Sequence, residues 1–104
     1  MQIQINSDNN VVFGEEQMAS SISLISEELK RFSSQITRIE VHLSDEDGNK
    51  DGQNDKRCLI EARLGGMKPI AVTDQANTHE QAISGATDKL KSAIESMTGR
   101  LKQF

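Results

Sequence analysis

The spacing of apolar residues in this 104-residue chain switches between two periods in a set order, and that order restricts the fold more than any other feature. Residues 2–6 alternate apolar and polar, which puts Ile3 and Ile5 on one face of a short strand. From about Glu15 to Ser33 there is no Gly or Pro, and Met18, Ile22, Ile25, Leu29 and Phe32 recur at steps of four, three, four and three. Those steps form one stripe of an amphipathic helix. Ile36 to Leu43 returns to period two, with Ile39, Val41 and Leu43 on one side and Arg38, Glu40 and His42 on the other. Arg57 to Leu64 alternates again and turns Cys58, Ile60, Ala62 and Leu64 inward. Gly65-Gly66 predicts a tight turn into a strand over residues 67–74, so that the third and fourth strands form a hairpin. Pro69 has no N–H to donate, so that strand begins there or lies at the sheet edge. Thr78-His79-Glu80-Gln81 reads as a capping box opening a long helix, with Ile83, Ala86, Leu90, Ile94, Met97 and Leu101 on one face. Gly85 and Gly99 weaken that helix locally.

The resulting order is β-α-β-β-β-α in one domain spanning residues 1–104. The expected fold class is α+β: a four-stranded sheet with one apolar face, and two helices packed together on it to bury their stripes. The core must be lean, because apolar residues make up 35% of the chain and Trp and Tyr are absent. No apolar run approaches the roughly 20 residues needed to cross a bilayer, and no basic segment precedes an apolar one at the start. Neither a signal peptide nor a membrane partner is expected, and lone Cys58 cannot form an internal disulfide. A cytoplasmic location follows as the expectation.

Charge is distributed unevenly. The net value is −4, which argues against a protein that coats nucleic acid indiscriminately. Between Ser44 and Lys56, Asp45, Glu46, Asp47, Asp51 and Asp55 face only Lys50 and Lys56, while from Lys89 onward Lys89, Lys91, Arg100 and Lys102 face only Glu95. At 100° per residue Lys89 and Arg100 flank the apolar stripe of the last helix on one shoulder, and Lys91 and Lys102 on the other. Lys30 and Arg31 end the first helical segment, where the helix dipole favours cations. Each of these six has two readings, a solvated helix shoulder or a phosphate contact. Arg38, Arg57 and Arg63 alternate with Glu40 and Glu61 on the outward sheet face, where cross-strand ion pairs are expected. That face has no aromatic residue on which an unstacked base could lie.

Other chemistry finds little support. Asp47, Asn49, Asp51 and Gly52 match the first positions of a calcium loop, but the twelfth position, which needs a bidentate Glu, is Cys58, and the flanks read as strands. A flexible, solvated hairpin loop is the expected state of residues 44–56. Catalysis would need a nucleophile, a base and an orienting group in one place. Cys58 points to the core, His42 to the opposite sheet face, and His79 is expected on the surface at a helix start. No enzyme activity, cofactor, metal or small-molecule substrate is expected.

Several stretches taken in order carry a further signal: His42-Leu43-Ser44-Asp45, the Asp/Gly/Asn loop, Arg57-Cys58-Leu59-Ile60-Glu61-Ala62-Arg63, the strand from Ile70 to Thr73, and Asp88-Lys89-Leu90. On this element order they resemble the ribosome hibernation-promoting factor and ribosome-associated inhibitor family, also called sigma-modulation proteins, in its short form. The resemblance implies a fold like the double-stranded-RNA-binding domain that docks on the small ribosomal subunit and its rRNA. There it would block the channel for messenger and transfer RNA in idle or stressed cells. RNA contact would fall to Lys30, Arg31, Lys89, Lys91, Arg100 and Lys102.

Ser92, Glu95, Ser96 and Thr98 dilute the cations of the last helix, which keeps an alternative open. It is a stress-related protein-interaction module of the same fold with weak or no RNA binding, which would take a basic partner through the acidic loop. A monomer is expected, with self-association through a sheet edge as the structural alternative.

Overall fold

The computed structural model describes residues 1–9, 11–45 and 55–101, the last three of these as backbone only. Its elements run β1 (Gln2–Ser7), α1 (Glu15–Glu28), a 3-10 turn (Lys30–Phe32), β2 (Ile36–Asp45), β3 (Lys56–Leu64), β4 (Ile70–Ala76) and α2 (His79–Leu101). The strands lie in the sheet in chain order, with β1 parallel to β2 and the other neighbours antiparallel. A parallel pair needs a crossover, and α1 supplies it.

Alternation placed the inward residues correctly. Ile39, Val41, Leu43, Cys58, Ile60, Ala62 and Leu64 are buried, and they share one core with Ile25, Leu29 and Phe32 from the first helical segment and Ile83, Ala86, Leu90 and Ile94 from α2. Both helices therefore cover the same sheet face. Each fully buried Leu or Ile contributes about 1.5–3 kcal/mol relative to exposure, so this short list carries most of the fold's driving force.

The first helical segment departs from expectation in two ways. The α-helix stops at Glu28, and the chain tightens into the 3-10 turn, in which Phe32 N–H donates to Leu29 O at 2.9 Å and Ser33 N–H to Lys30 O at 3.1 Å. Tightening of this kind satisfies carbonyls at a helix end. It also turns Phe32 into the core while Lys30 and Arg31 stay exposed. Second, Ile22 was expected in the apolar stripe but is 36% exposed, whereas Ser21 is 4% exposed. The buried arc centres on Ser21, Ile25 and Leu29, so Ile22 sits at its rim. Gln17 Oε1 accepts the Gly14 N–H at 2.8 Å where α1 begins.

The hairpin between β3 and β4 turns at Gly65-Gly66, with Gly66 at φ 73°, a left-handed conformation that a Cβ disfavours. Strand β4 starts directly after Pro69 and is an edge strand, so both readings of the proline hold. Helix α2 opens as its sequence predicts, with Thr78 Oγ1 accepting the Gln81 N–H at 3.1 Å.

Strands β2 and β3 also extend further than their alternation suggested, to Asp45 and from Lys56, so the feet of the acidic loop belong to the sheet. Asp55 is buried rather than solvated, and Lys56 Nζ lies 2.6 Å from Asp45 Oδ2 and 3.4 Å from Asp55 Oδ2. The hydrogen bond to Asp45 is the main influence raising the Lys56 ammonium above its usual range. The calcium-loop match at Asp47, Asn49, Asp51 and Gly52 lies outside the described residues.

Candidate nucleic-acid interface

The end of α1, the 3-10 turn and the outer shoulder of α2 enclose an open groove of about 470 Å³ lined by Glu27, Glu28, Lys30, Arg31 and Lys91. Two consecutive cations on the tight turn and one from α2 thus surround one concavity, although Lys91 is some sixty residues away in sequence. Lys30 makes no ion pair among the described residues. Arg31 lies over the Phe32 ring, 4.7 Å from guanidinium carbon to centroid, and closes an ion pair with Glu95 of α2. Lys91 Nζ stands 3.3 Å from Glu28 Oε2. Each pair joins the first helical segment to α2.

Lys89 emerges from the opposite shoulder of α2, as a two-residue step on a helix requires. Its Nζ donates to Thr73 O at 2.9 Å and lies 3.1 Å from Asp74 Oδ1, beside a second open groove lined by Arg57, Thr73, Asp74, Gln75 and Lys89. Asp74 reaches α2 there because residue 85 is glycine: a Cβ at that position would stand 2.8 Å from the Asp74 Cγ, closer than real contacts allow. The glycine that weakens the helix by propensity thus admits the strand carboxylate that pairs with Lys89. The Arg100 side chain and all of Lys102 lie outside the described residues.

Of the six expected cations, Lys30, Arg31 and Lys91 come together and Lys89 stands apart. Sequence reasoning missed Glu28, Glu95 and Asp74 as partners. The signal was weak by nature, because Lys91–Glu28 and Arg31–Glu95 are separated by 63 and 64 residues, and no local spacing rule reaches that far. The pairs are also solvent-exposed, with Arg31 at 60% and Glu95 at 45% side-chain exposure. Pairs of this kind hold by only about 0.2–1 kcal/mol, so they lower the local charge without locking the cations away.

The uncovered sheet face corrects another expectation. For Arg38 and Arg63 the ion pairs run along strands rather than across them: Arg38 Nη2 lies 2.9 Å from Glu40 Oε1, and Arg63 Nε lies 3.7 Å from Glu61 Oε1. The register explains why, since Arg38 stands opposite Arg63 and Glu40 opposite Glu61. Like charges placed directly opposite repel, so each residue takes its partner two positions away on its own strand. Cross-strand polar contacts form elsewhere: Arg38 Nη2 donates to Gln4 Oε1 at 2.7 Å, and Thr37 Oγ1 donates to Arg63 O at 3.0 Å.

His79 is not a surface residue. It is 9% exposed, its Nε2 lies 3.1 Å from Ser44 O, and its ring meets Phe13 edge-on at 6.1 Å between centroids. It ties the start of α2 to the end of β2, a packing role that its position in a capping box did not reveal. Cys58 is fully buried, and burial, followed by the Asp74 charge, pushes its thiol up to about 12. At neutral pH it is a protonated thiol without nucleophilic character. Among the described residues no cluster of His, Cys, Asp or Glu could hold a metal ion, and no helix is long and apolar enough to cross a membrane.

Comparison with known proteins agrees with this architecture. A structure described as a ribosomal subunit interface protein from Coxiella burnetii superposes with a TM-score of 0.74 at 15% identity, covering 95% of this chain and 99% of the other. The Protein Y N-terminal domain of Thermus thermophilus superposes with a TM-score of 0.66 at 18% identity, covering 92% and 94%. At such identities these likenesses establish the fold. No curated protein sequence matches the chain. The sequence profile of one family, described as sigma 54 modulation protein / S30EA ribosomal protein, matches residues 19–102. The match takes in α1 from Ala19 onward, α2 and three of the four strands, bears out the resemblance read from the sequence, and makes the chain a member of that ribosome-associated family.

Proposed function

We propose that this protein is a translation inhibitor of idle or stressed cells that binds the small ribosomal subunit through its rRNA and occludes the channel for messenger and transfer RNA. It acts in the cytoplasm as a monomer and by steric exclusion, so no enzymatic chemistry, cofactor or small-molecule substrate is involved. The observation that carries the reading, beyond family membership, is the convergence of Lys30, Arg31 and Lys91 around one interhelical groove. Phosphate contacts dominate RNA affinity, and three cations from two rigid elements present a fixed pattern to them. Lys89 would add a contact on the other shoulder of α2, and Arg100 and Lys102 would extend the basic end of the chain. Co-sedimentation with purified small subunits at low and moderate salt tests the proposal. Recovery in the low-salt pellet with loss as salt rises is expected, and absence from both pellets would refute it.

A second reading, a protein-interaction module of the same fold with little RNA affinity, draws support from one observation. Arg31, Lys89 and Lys91 each face a carboxylate already. Under that reading the protein stays in the supernatant at every salt concentration.

A further inference from the structure

We propose that Glu28 and Glu95 are specificity-determining residues of the groove: built-in competitors that hold its cations against a backbone that meets them one phosphate at a time, as a generic duplex does, and yield to a phosphate array of folded ribosomal RNA that engages all three cations together. This rests on the reading of the groove as the RNA contact. Glu95 comes from α2 to meet Arg31 on the turn, and Glu28 comes from the end of α1 to meet Lys91 on α2, so the two pairs cross the groove in opposite senses. Lys30 alone, next to them on the turn, carries no such partner among the described residues.

A single phosphate reaching Arg31 or Lys91 must displace a carboxylate of equal sign and leave it beside the newcomer. The exchange gains little for one contact. An array of phosphates that reaches Lys30 first and then engages both paired cations gains three contacts against two weak pairs, each worth about 1.4-fold to 5-fold in an equilibrium. Discrimination by placing a repulsive element against the wrong ligand is a general route to specificity. Each displaced carboxylate also takes up a solvent cation, which offsets part of the counterion release that drives RNA binding. Removing the carboxylates should therefore tighten binding and steepen its salt dependence together.

The test uses the full chain as wild type, as Glu28→Gln with Glu95→Gln, and as Glu27→Gln. Glu27 lines the same groove but makes no ion pair among the described residues, so it reports the bare loss of one negative charge. Each protein is titrated over a salt series with small ribosomal subunits and, separately, with a short generic RNA duplex. The double variant is expected to bind the duplex about 3-fold to 10-fold tighter than wild type, with a steeper salt slope and a smaller gain on subunits, while Glu27→Gln changes either affinity less than about 2-fold. The inference is overturned if the double variant gains no more on the duplex than Glu27→Gln does, if it gains as much on subunits as on the duplex, or if none of the three proteins binds duplex at the lowest salt. If the duplex result holds but no form of the protein binds subunits, the competitor role stands and the ribosomal reading fails.

Discussion

Lys91 and Glu28 meet across the seam between the two helices, Nζ to Oε2 at 3.3 Å, with both side chains more than a third exposed. The contact links a helix that starts the crossover of the sheet to the helix that ends the fold. In water it is a weak contact. It therefore tunes the charge presented by the groove far more than it holds the helices together, which is the task of Ile25, Leu29, Leu90 and Ile94 beneath it.

Replacing Lys30, Arg31 and Lys91 together by Gln should lower stability by no more than about 1–3 kcal/mol, because two exposed ion pairs and the Arg31–Phe32 stacking are lost while the core stays intact. Small-subunit affinity should fall and the slope of log K against log salt should shrink by about 0.7–0.9 for each phosphate contact removed. Sedimentation at several salt concentrations measures both. An unchanged slope would place the RNA contact elsewhere on the molecule.

Gly85→Ala sets two effects against each other. Alanine favours a helix interior by about 1 kcal/mol over glycine, yet here its Cβ would overlap the Asp74 carboxylate and displace it from Lys89. Overpacking costs about 1–3 kcal/mol and wins, so the variant should be less stable. In an Asp74→Ala background the same substitution should become stabilising by roughly 0.5–1 kcal/mol. Urea unfolding of the four proteins in this cycle reads the change of sign.

Alkaline pH should destabilise the fold through Cys58. Its thiol titrates near 9.0 when unfolded but is pushed up to about 12 in the folded chain, so between these values the unfolded state has lost a proton that the folded state keeps. Stability from this source is fully present below about pH 9 and is lost as pH rises toward 12. By pH 10 the loss is about 1.4 kcal/mol. Lys56, raised above its ordinary 10.5, acts in the same direction at still higher pH. Denaturant midpoints at pH 8 and pH 10 should converge for Cys58→Ala, relative to wild type, once its lower baseline stability is subtracted.

The rotation of the first helix predicts unequal costs for two isoleucines that the sequence makes look alike. Ile25→Ala should cost about 2–5 kcal/mol and Ile22→Ala less than about 1 kcal/mol, since only the first removes a fully buried side chain. Equal losses by thermal unfolding would mean that the helix faces the sheet as its apolar spacing alone suggests.

Period-two alternation identified β2 and β3 with their inner faces because a slip of one residue would expose Ile39, Val41 and Leu43 together, and no compensating surface exists. The helical stripe of α2 was legible for the same reason. Ile22 was misplaced because a spacing pattern marks an arc of about 100° but not which side of it the neighbouring helix covers. His79 was misplaced because the packing that brings Phe13 and the end of β2 at Ser44 to it is not local to its sequence.

By itself, the order of apolar periods determined the elements and the single buried face of the sheet, since burial of each stripe leaves few arrangements open, while the family resemblance rested on particular stretches between His42 and Leu90. Only the tertiary structure decided which cations share a groove and which carboxylates meet them. The two pairings of the interhelical groove join residues more than sixty positions apart and are worth too little to shape the fold, so no pattern in the chain records them.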